Sequence, residues 1–364
     1  MTQRREIRSP YMEWAKLRSH ARFNLAVSGL PSVPLSRLAV SVSDIEISAP
    51  GSYGYEPLQA RLAAKCSVAP ECVVEATGTS MANHLALAAL IEPGDEILIE
   101  EPTYELILTT AEYLGATVRR FPRLFDNGFA LDPREIERAI TARTRVIAVT
   151  NLHNPSGVKT SNSILRLVGE IARSRGATVL VDEVYLEACY DPELRSAFHL
   201  GPNFVITNSL TKAYGLSGLR CGWILASPLL AERMWKLNDL FGVNPAHAAQ
   251  RLSVVALDHL PEIAAEAKAL LDANRKRVNQ FLDSRGDLLA VRPEEGTIVF
   301  PRLAQGRVDA FCQLLRQNYD TTVVPGRFFE MPDFFRLGYS VDPETLEGGL
   351  QRIGSALDEF RRAS

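Results

Sequence analysis

The chain has 364 residues and a formal net charge of -3. That length is more than one simple core needs and points to a large and a small domain. With 46% hydrophobic and 23% charged residues, it reads as a soluble globular protein, with no basic field for nucleic acid and no polybasic patch for a membrane surface. The five cysteines (Cys66, Cys72, Cys189, Cys221 and Cys312) are odd in number, scattered, and nowhere spaced C-x-x-C. They argue against a disulfide framework or a zinc site, so no metal is expected and a reducing cytoplasm fits. The opening MTQRREIRSPYMEW lacks the apolar core of a signal peptide. No apolar run approaches the roughly 18 residues of a membrane span.

Taken in order, the first forty-odd residues carry little strand pattern and are expected to pack on the small domain. From about residue 70 to 245, strand and helix signals alternate. MANHLALAALI reads as a helix stopped by Pro93-Gly94-Asp95. RVIAVT (145–150), ATVLVDE (177–183) and NFVITNS (203–209) are continuous apolar runs of the kind that form strands buried on both faces of a parallel sheet. Between the first two, SNSILRLVGEIARSRG has helical spacing and closes on Gly176. The alternation predicts an α/β fold, a large domain with a mostly parallel sheet flanked by helices.

Beyond residue 245 the pattern changes. A long helical stretch is expected to about Ser284, then VRPEEGTIVFPRL as strand, turn, strand. TTVVPG, FFRLGYS and a final helix near Pro343–Arg362 complete a smaller α+β domain with a few antiparallel strands. The expected division is 46–245 for the large domain, with 1–45 and 246–364 forming the small one.

In open α/β sheets, ligands sit beyond the C-terminal strand ends. Here those ends carry Asn154, Asp182, Tyr185, Ser209 and Lys212. Buried charges demand partners. A lysine amine isolated among small residues in such a crevice is a candidate to condense with a carbonyl.

HNPSG (153–157), DEVY (182–185) and SLTKAYGLSGLR (209–220), with ATGTSMANHLALAALIEPGDEILIEEPTYE (76–105) and FFRLGYS (334–340), resemble the class I/II aminotransferases. These belong to the fold-type-I enzymes that use pyridoxal 5′-phosphate. The likeness spans nearly the whole chain, and the ordered combination is specific where any one motif is weak.

The resemblance implies that Lys212 forms the Schiff base with the cofactor and then moves the proton between Cα and C4′. Asp182 is implied to face the pyridine nitrogen and keep the ring protonated, so that it absorbs electrons. Tyr185 and Asn154 are implied at the phenolic oxygen and Tyr104 on the ring face. Gly78, Thr79, Ser80, Ser209 and Arg220 are implied around the phosphate, where a helix N-terminus and a bidentate cation suit an anion. Tyr53, or its neighbour Tyr55, matches the tyrosine that reaches the phosphate of a second subunit, so a homodimer is expected. Arg336 is implied to grip the substrate carboxylate, with a backbone N–H of Gly29 beside it. His153 and His84 are read as structural.

Dicarboxylate-specific members carry an arginine a few residues before an Asn-Pro pair. LNDLFGVNPAH (237–247) has Asp239 and Phe241 there and no arginine. The expected activity is therefore transfer of an amino group from an amino acid to a 2-oxo acid, by a ping-pong course, with a donor other than aspartate. Tyr11, Trp14 and Phe241 are candidates for an apolar side-chain pocket, and Asp239, if it points inward, for a basic one. A lyase, cyclase, decarboxylase or oxidase reaction on the same cofactor is the alternative. A cofactor-sensing regulator is disfavoured, because no helix-turn-helix precedes the fold.

Overall fold

Seven strands carry the fold, as seen in a computed structural model that describes residues 8–49 and 51–363. Residues 1–7, which enter both the leader reading and the 1–45 segment, lie outside the described residues. The strands are β1 (Val73–Thr77), β2 (Glu96–Glu101), β3 (Thr117–Pro122), β4 (Thr144–Thr150), β5 (Thr178–Asp182), β6 (Phe204–Ser209) and β7 (Cys221–Leu225). They lie in the order β1-β7-β6-β5-β4-β2-β3. All are parallel except β7, which runs antiparallel to both β1 and β6.

The apolar runs explain the sheet. Val146, Ile147, Ala148 and Val149 of β4 are each at most 1% exposed, and burying one Val or Ile side chain contributes about 1.5–3 kcal/mol. Helices cover the faces. Asn162–Ser174 turns Leu165, Val168 and Ala172 inward, and the Ser161 hydroxyl caps it by accepting from the Ile164 N–H. Gly169 lies on the ring of Phe204, leaving no room for a Cβ.

Register places the chemistry. Thr150, Asp182 and Thr207 are direct neighbours across β4, β5 and β6. All three strands run the same way, so the loops after them open into one crevice.

The C-terminal region departs from the expected pattern in two places. The helical stretch after residue 245 is two helices, His247–Asp258 and Leu260–Asp283, separated at His259. Pro261, which has no N–H to give, sits in the first turn of the second. The strand–turn–strand reading of residues 291–303 also fails. Ile298–Val299 pairs with Phe335–Gly338, while Arg302–Leu303 pairs with Leu288–Leu289. Pro301 lies between the two strands, and its carbonyl accepts from the Phe335 N–H at 3.0 Å.

Phe335–Gly338 is the central strand of a small antiparallel sheet, flanked by Ile298–Val299 and Val324–Pro325. The N-terminal segment joins it. Phe23–Asn24 pairs in parallel with Thr321–Thr322, and the Gly338 N–H donates to the Leu25 carbonyl at 2.8 Å. A Cβ at Gly338 would collide with the Val27 carbonyl, so glycine permits this approach. The segment then crosses to the large sheet, where the Leu30 N–H donates to the Lys212 carbonyl at 3.1 Å.

Glu75 in β1 is buried without a cation. It accepts from the Tyr55 N–H at 2.7 Å and from Gln250 Nε2 at 2.6 Å. Burial outweighs these donors and pushes its carboxyl up to about 7. The folded state therefore binds this proton more tightly than the unfolded state. Its stabilising effect is full below the unfolded value, about pH 4, and is lost as pH rises through about 7. Glu75→Gln imitates the neutral form. Thermal melts should show it more stable than the parent at pH 8, by on the order of 2 kcal/mol, with no gain at pH 4.

Candidate active site

A cavity of about 410 Å³ opens at the ends of β4, β5 and β6, closed on its far side by residues 11–30. Lys212, Asp182, Tyr185, Asn154, Ser209, Arg220, Thr79, Ser80, Tyr104 and Gly29 all line it. Gly78, Arg336 and Tyr53 do not.

Asp182 ends β5 and is 3% exposed. Asn83 Nδ2 donates to its Oδ2 at 2.7 Å, and the Val184 N–H to its Oδ1 at 3.0 Å. Burial pushes this carboxyl up to about 6, against those two donors and the Lys212 amine. Burial likewise holds the Lys212 amine below the usual lysine range; Tyr11 and Asp182 oppose that shift, while Arg336 and Arg220 add to it. Lys212 Nζ donates to Ser28 Oγ at 3.2 Å, and the Tyr185 hydroxyl donates to the same oxygen at 2.7 Å.

At the other end of the cavity, β1 runs into the helix Gly78–Leu90. Gly78 has φ +77°, a conformation glycine adopts without penalty. The Arg220 guanidinium occupies the place where a Cβ of residue 78 would be, and its Nη2 donates to the Thr77 carbonyl at 3.4 Å. Thr79 Oγ1 donates to Ser209 Oγ at 2.8 Å. Two hydroxyls, a guanidinium and the free N–H groups of a helix start thus share one corner, which suits a dianionic group.

Arg336, on the central strand of the small sheet, is 1% exposed. Its Nη1 donates to Asn154 Oδ1 at 2.8 Å and its Nη2 to the Tyr11 hydroxyl at 2.9 Å. Nε has no hydrogen-bond partner. Among the described residues no carboxylate pairs with this guanidinium, so it lies directly behind the cavity wall with its charge uncompensated. Tyr104 meets Tyr11 edge-on, with centroids 6.0 Å apart.

Tyr53 lies apart from the cavity. It is 51% exposed, and its hydroxyl donates to Asp239 Oδ2 at 2.9 Å. Tyr55 turns inward and meets the His247 ring edge-on at 4.9 Å. Asp239 is exposed, and Phe241 is exposed beside His84. Within one chain neither reaches the cavity. Arg327 is ion-paired with Asp309. His153 is buried between Ser156 and the Pro102 carbonyl, and burial holds its imidazole well below the usual range. It does not line the cavity.

The sequence reading missed Ser28 and Asn83. Asn83 sits four residues after Thr79, one helical turn along the same face, and that spacing was a usable signal. Ser28 precedes Gly29 and carried no signal, because its role depends on a segment folding back over Lys212. Thr150 was missed too. Its N–H and hydroxyl donate to Glu100 Oε1 at 2.7 and 2.6 Å, and its hydroxyl accepts from the Asn154 N–H at 2.9 Å. Glu100 is paired with Arg123 at 2.9 Å, both fully buried, so a neutral ion pair braces the Asn154 turn.

Residues 48–353 match the family Aminotransferase class I and II. The chain is 32% identical to a capreomycidine synthase of Streptomyces vinaceus, over 85% of this chain and 81% of that protein. It is 29% identical to a probable aspartate/prephenate aminotransferase of Thermus aquaticus, over 80% and 77%. Its fold superposes on a PLP-dependent aminotransferase from Streptococcus suis with a TM-score of 0.91, at 26% identity, covering 97% of this chain and 98% of that one. The chain belongs to the class I and II aminotransferases: it is an enzyme of amino-group transfer, and pyridoxal 5′-phosphate is its cofactor.

Proposed function

We propose that the residues gathered in this cavity carry transamination between an amino acid and a 2-oxo acid, with aspartate disfavoured as the donor. The observation that carries the reading is an amine and a carboxylate, Lys212 and Asp182, lining one cavity with Arg220 beside them and Arg336 behind the wall, neither guanidinium having an acidic partner among the described residues. Bound there, pyridoxal phosphate supplies a carbonyl that condenses with amines and a ring that takes up the electron pair left by Cα–H cleavage.

The chain's own residues have separate tasks. Thr79, Ser80, Ser209, Arg220 and the Gly78 turn would hold the phosphate. Asp182, aligned by Asn83, would keep a proton on the ring nitrogen. Tyr185 and Asn154 would hydrogen-bond the phenolic oxygen, and Tyr104 would cover one ring face. Arg336 and the Gly29 N–H orient the substrate carboxylate, which gives the guanidinium its missing counter-charge. Lys212 Nζ takes the proton from substrate Cα.

We assign residues 46–245 to cofactor binding and residues 1–45 with 246–364 to covering the substrate. The five free cysteines support a reducing, cytoplasmic setting. Among the described residues no helix is long and apolar enough to cross a membrane. Around Tyr53 the surface exposes Leu240, Phe241 and Val243 at 77%, 51% and 57%. A two-fold partner covering this face would receive Tyr53, and Tyr55 is already engaged within its own chain.

The likeness to a capreomycidine synthase supports a second reading, in which the same site carries a lyase, cyclase, decarboxylase or oxidase reaction on an amino acid. The two readings predict different products. Borohydride should fix the cofactor covalently on Lys212, and an amino acid added alone should convert bound cofactor to pyridoxamine phosphate. Labelling of another lysine would remove Lys212 from the site, and turnover without pyridoxamine phosphate would favour the second reading.

Sedimentation should show a dimer at working concentration; an active monomer would contradict the assembly. For the donor, Tyr11, Met12, Trp14 and Val27 give the cavity an apolar wall, and Arg327 is engaged elsewhere. Comparing kcat/KM across donors should place aromatic, aliphatic or basic amino acids ahead of aspartate. Aspartate best by tenfold, about 1.4 kcal/mol, would overturn this.

A further inference from the structure

Ser28 is the group that meets the two most reactive side chains of the cavity at once. Its hydroxyl oxygen is 3.2 Å from Lys212 Nζ and 2.7 Å from the Tyr185 hydroxyl, and both donate to it. Among the described residues this is the one hydrogen bond of the Lys212 amine. A serine oxygen has two acceptor lone pairs, and these two donors fill them.

The position of Ser28 is set from outside the cavity. Its carbonyl accepts from Thr297 Oγ1 at 2.9 Å, and the next carbonyl, of Gly29, accepts from Ser340 Oγ at 3.0 Å. Residue 29 is a close wall: a Cβ there would lie 3.2 Å from Lys212 Cδ. Ser28 is thus held by residues of the C-terminal region and presented to a lysine and a tyrosine of the central sheet. It is 5% exposed, so water does not readily replace it.

We propose that Ser28 is a further catalytic residue, whose hydroxyl receives the Lys212 amine whenever that amine is free of the cofactor and keeps it able to hold a proton. This rests on Lys212 being the cofactor lysine. Burial among other cations drives the amine toward its neutral form. A neutral amine takes a proton from Cα, but it must then hold that proton until it is delivered. An oxygen accepting from the ammonium stabilises the charged form. Ser28 therefore offsets part of the burial and poises Lys212 between base and acid.

The test uses the full-length protein stripped of cofactor, so it does not depend on turnover. Lys212 is competitively acetylated across a pH series, and its peptide is quantified by mass spectrometry to give the midpoint of amine reactivity. Ser28→Ala should move that midpoint down by roughly half a pH unit or more, the size of one lost hydrogen bond to a charged group. Ser28→Thr, which keeps the oxygen, should restore it. Should the alanine variant not fold, Ser28→Cys fills the same space with a weak acceptor and must show the same downward shift. A midpoint unchanged in the folded alanine or cysteine variant overturns the proposal and leaves Ser28 a packing residue. Borohydride labelling of a lysine other than Lys212 would instead overturn the reading on which it rests.

Discussion

Three cations gather at one crevice with a single free carboxylate to answer them. Lys212 and Arg220 line the cavity, Arg336 stands just behind it, and Asp182 is the acid they share. Arg336 is buried among them, and an uncompensated buried charge costs several kcal/mol; Arg220 is exposed and screened by solvent. Under the function proposed above, a substrate carboxylate would answer Arg336 and a phosphate Arg220. The rest of the structure can be understood as the framework that brings these charges close and keeps other acids away. Another buried acid, Glu100, is already neutralised by Arg123.

That framework has two parts joined by one strap. The large sheet places Thr150, Asp182 and Thr207 side by side and delivers Lys212 through the loop after β6. The small sheet delivers Arg336. Residues 23–30 are bonded to both, through Thr322, Gly338 and Thr297 on one side and Lys212 on the other. Any shift between the two parts is felt where the strap crosses Lys212. Lys212 and the strand that carries Arg336 are thus linked through a segment only eight residues long.

Membership of a family does not choose a substrate. The cofactor carries the reactivity and the pocket selects which bond breaks. In this chain Tyr11, Met12 and Trp14, from the helix Pro10–Leu17, form an apolar wall of the cavity. The helix is anchored through Glu105, which accepts from the Tyr11 N–H at 3.2 Å. Phe328 packs against both aromatic rings. Under the function proposed above, an aromatic wall of this kind would discriminate by shape and desolvation and would penalise an aspartate side chain that finds no cation.

Much of the large sheet was legible because buried parallel strands must be apolar throughout, and RVIAVT or NFVITNS has no other stable use. The convergence of Asn154, Asp182 and Lys212 was legible for the same reason: strand ends in one sheet share one edge. Short strands gave less. Ile298–Val299 and Arg302–Leu303 are two residues each, too short for any period to show, and their partners come from distant chain. The break at His259 was hidden because the buried positions continue at helical spacing across it, from Ser253 and Ala256 to Leu260 and Ile263. Ser28 was invisible for a deeper reason. Serine has no pattern of its own, and its place beside Lys212 exists only once hydrogen bonds to Thr297, Ser340 and Gly338 have folded the strap across the sheet. The order of residues along the chain determined the class of chemistry, since a lysine, an aspartate and an arginine at those spacings are local facts. Tertiary structure decided which charges stay unpaired, which hydroxyl meets the amine, and that Asp239 and Tyr53 face outward, because those depend on contacts between segments more than a hundred residues apart.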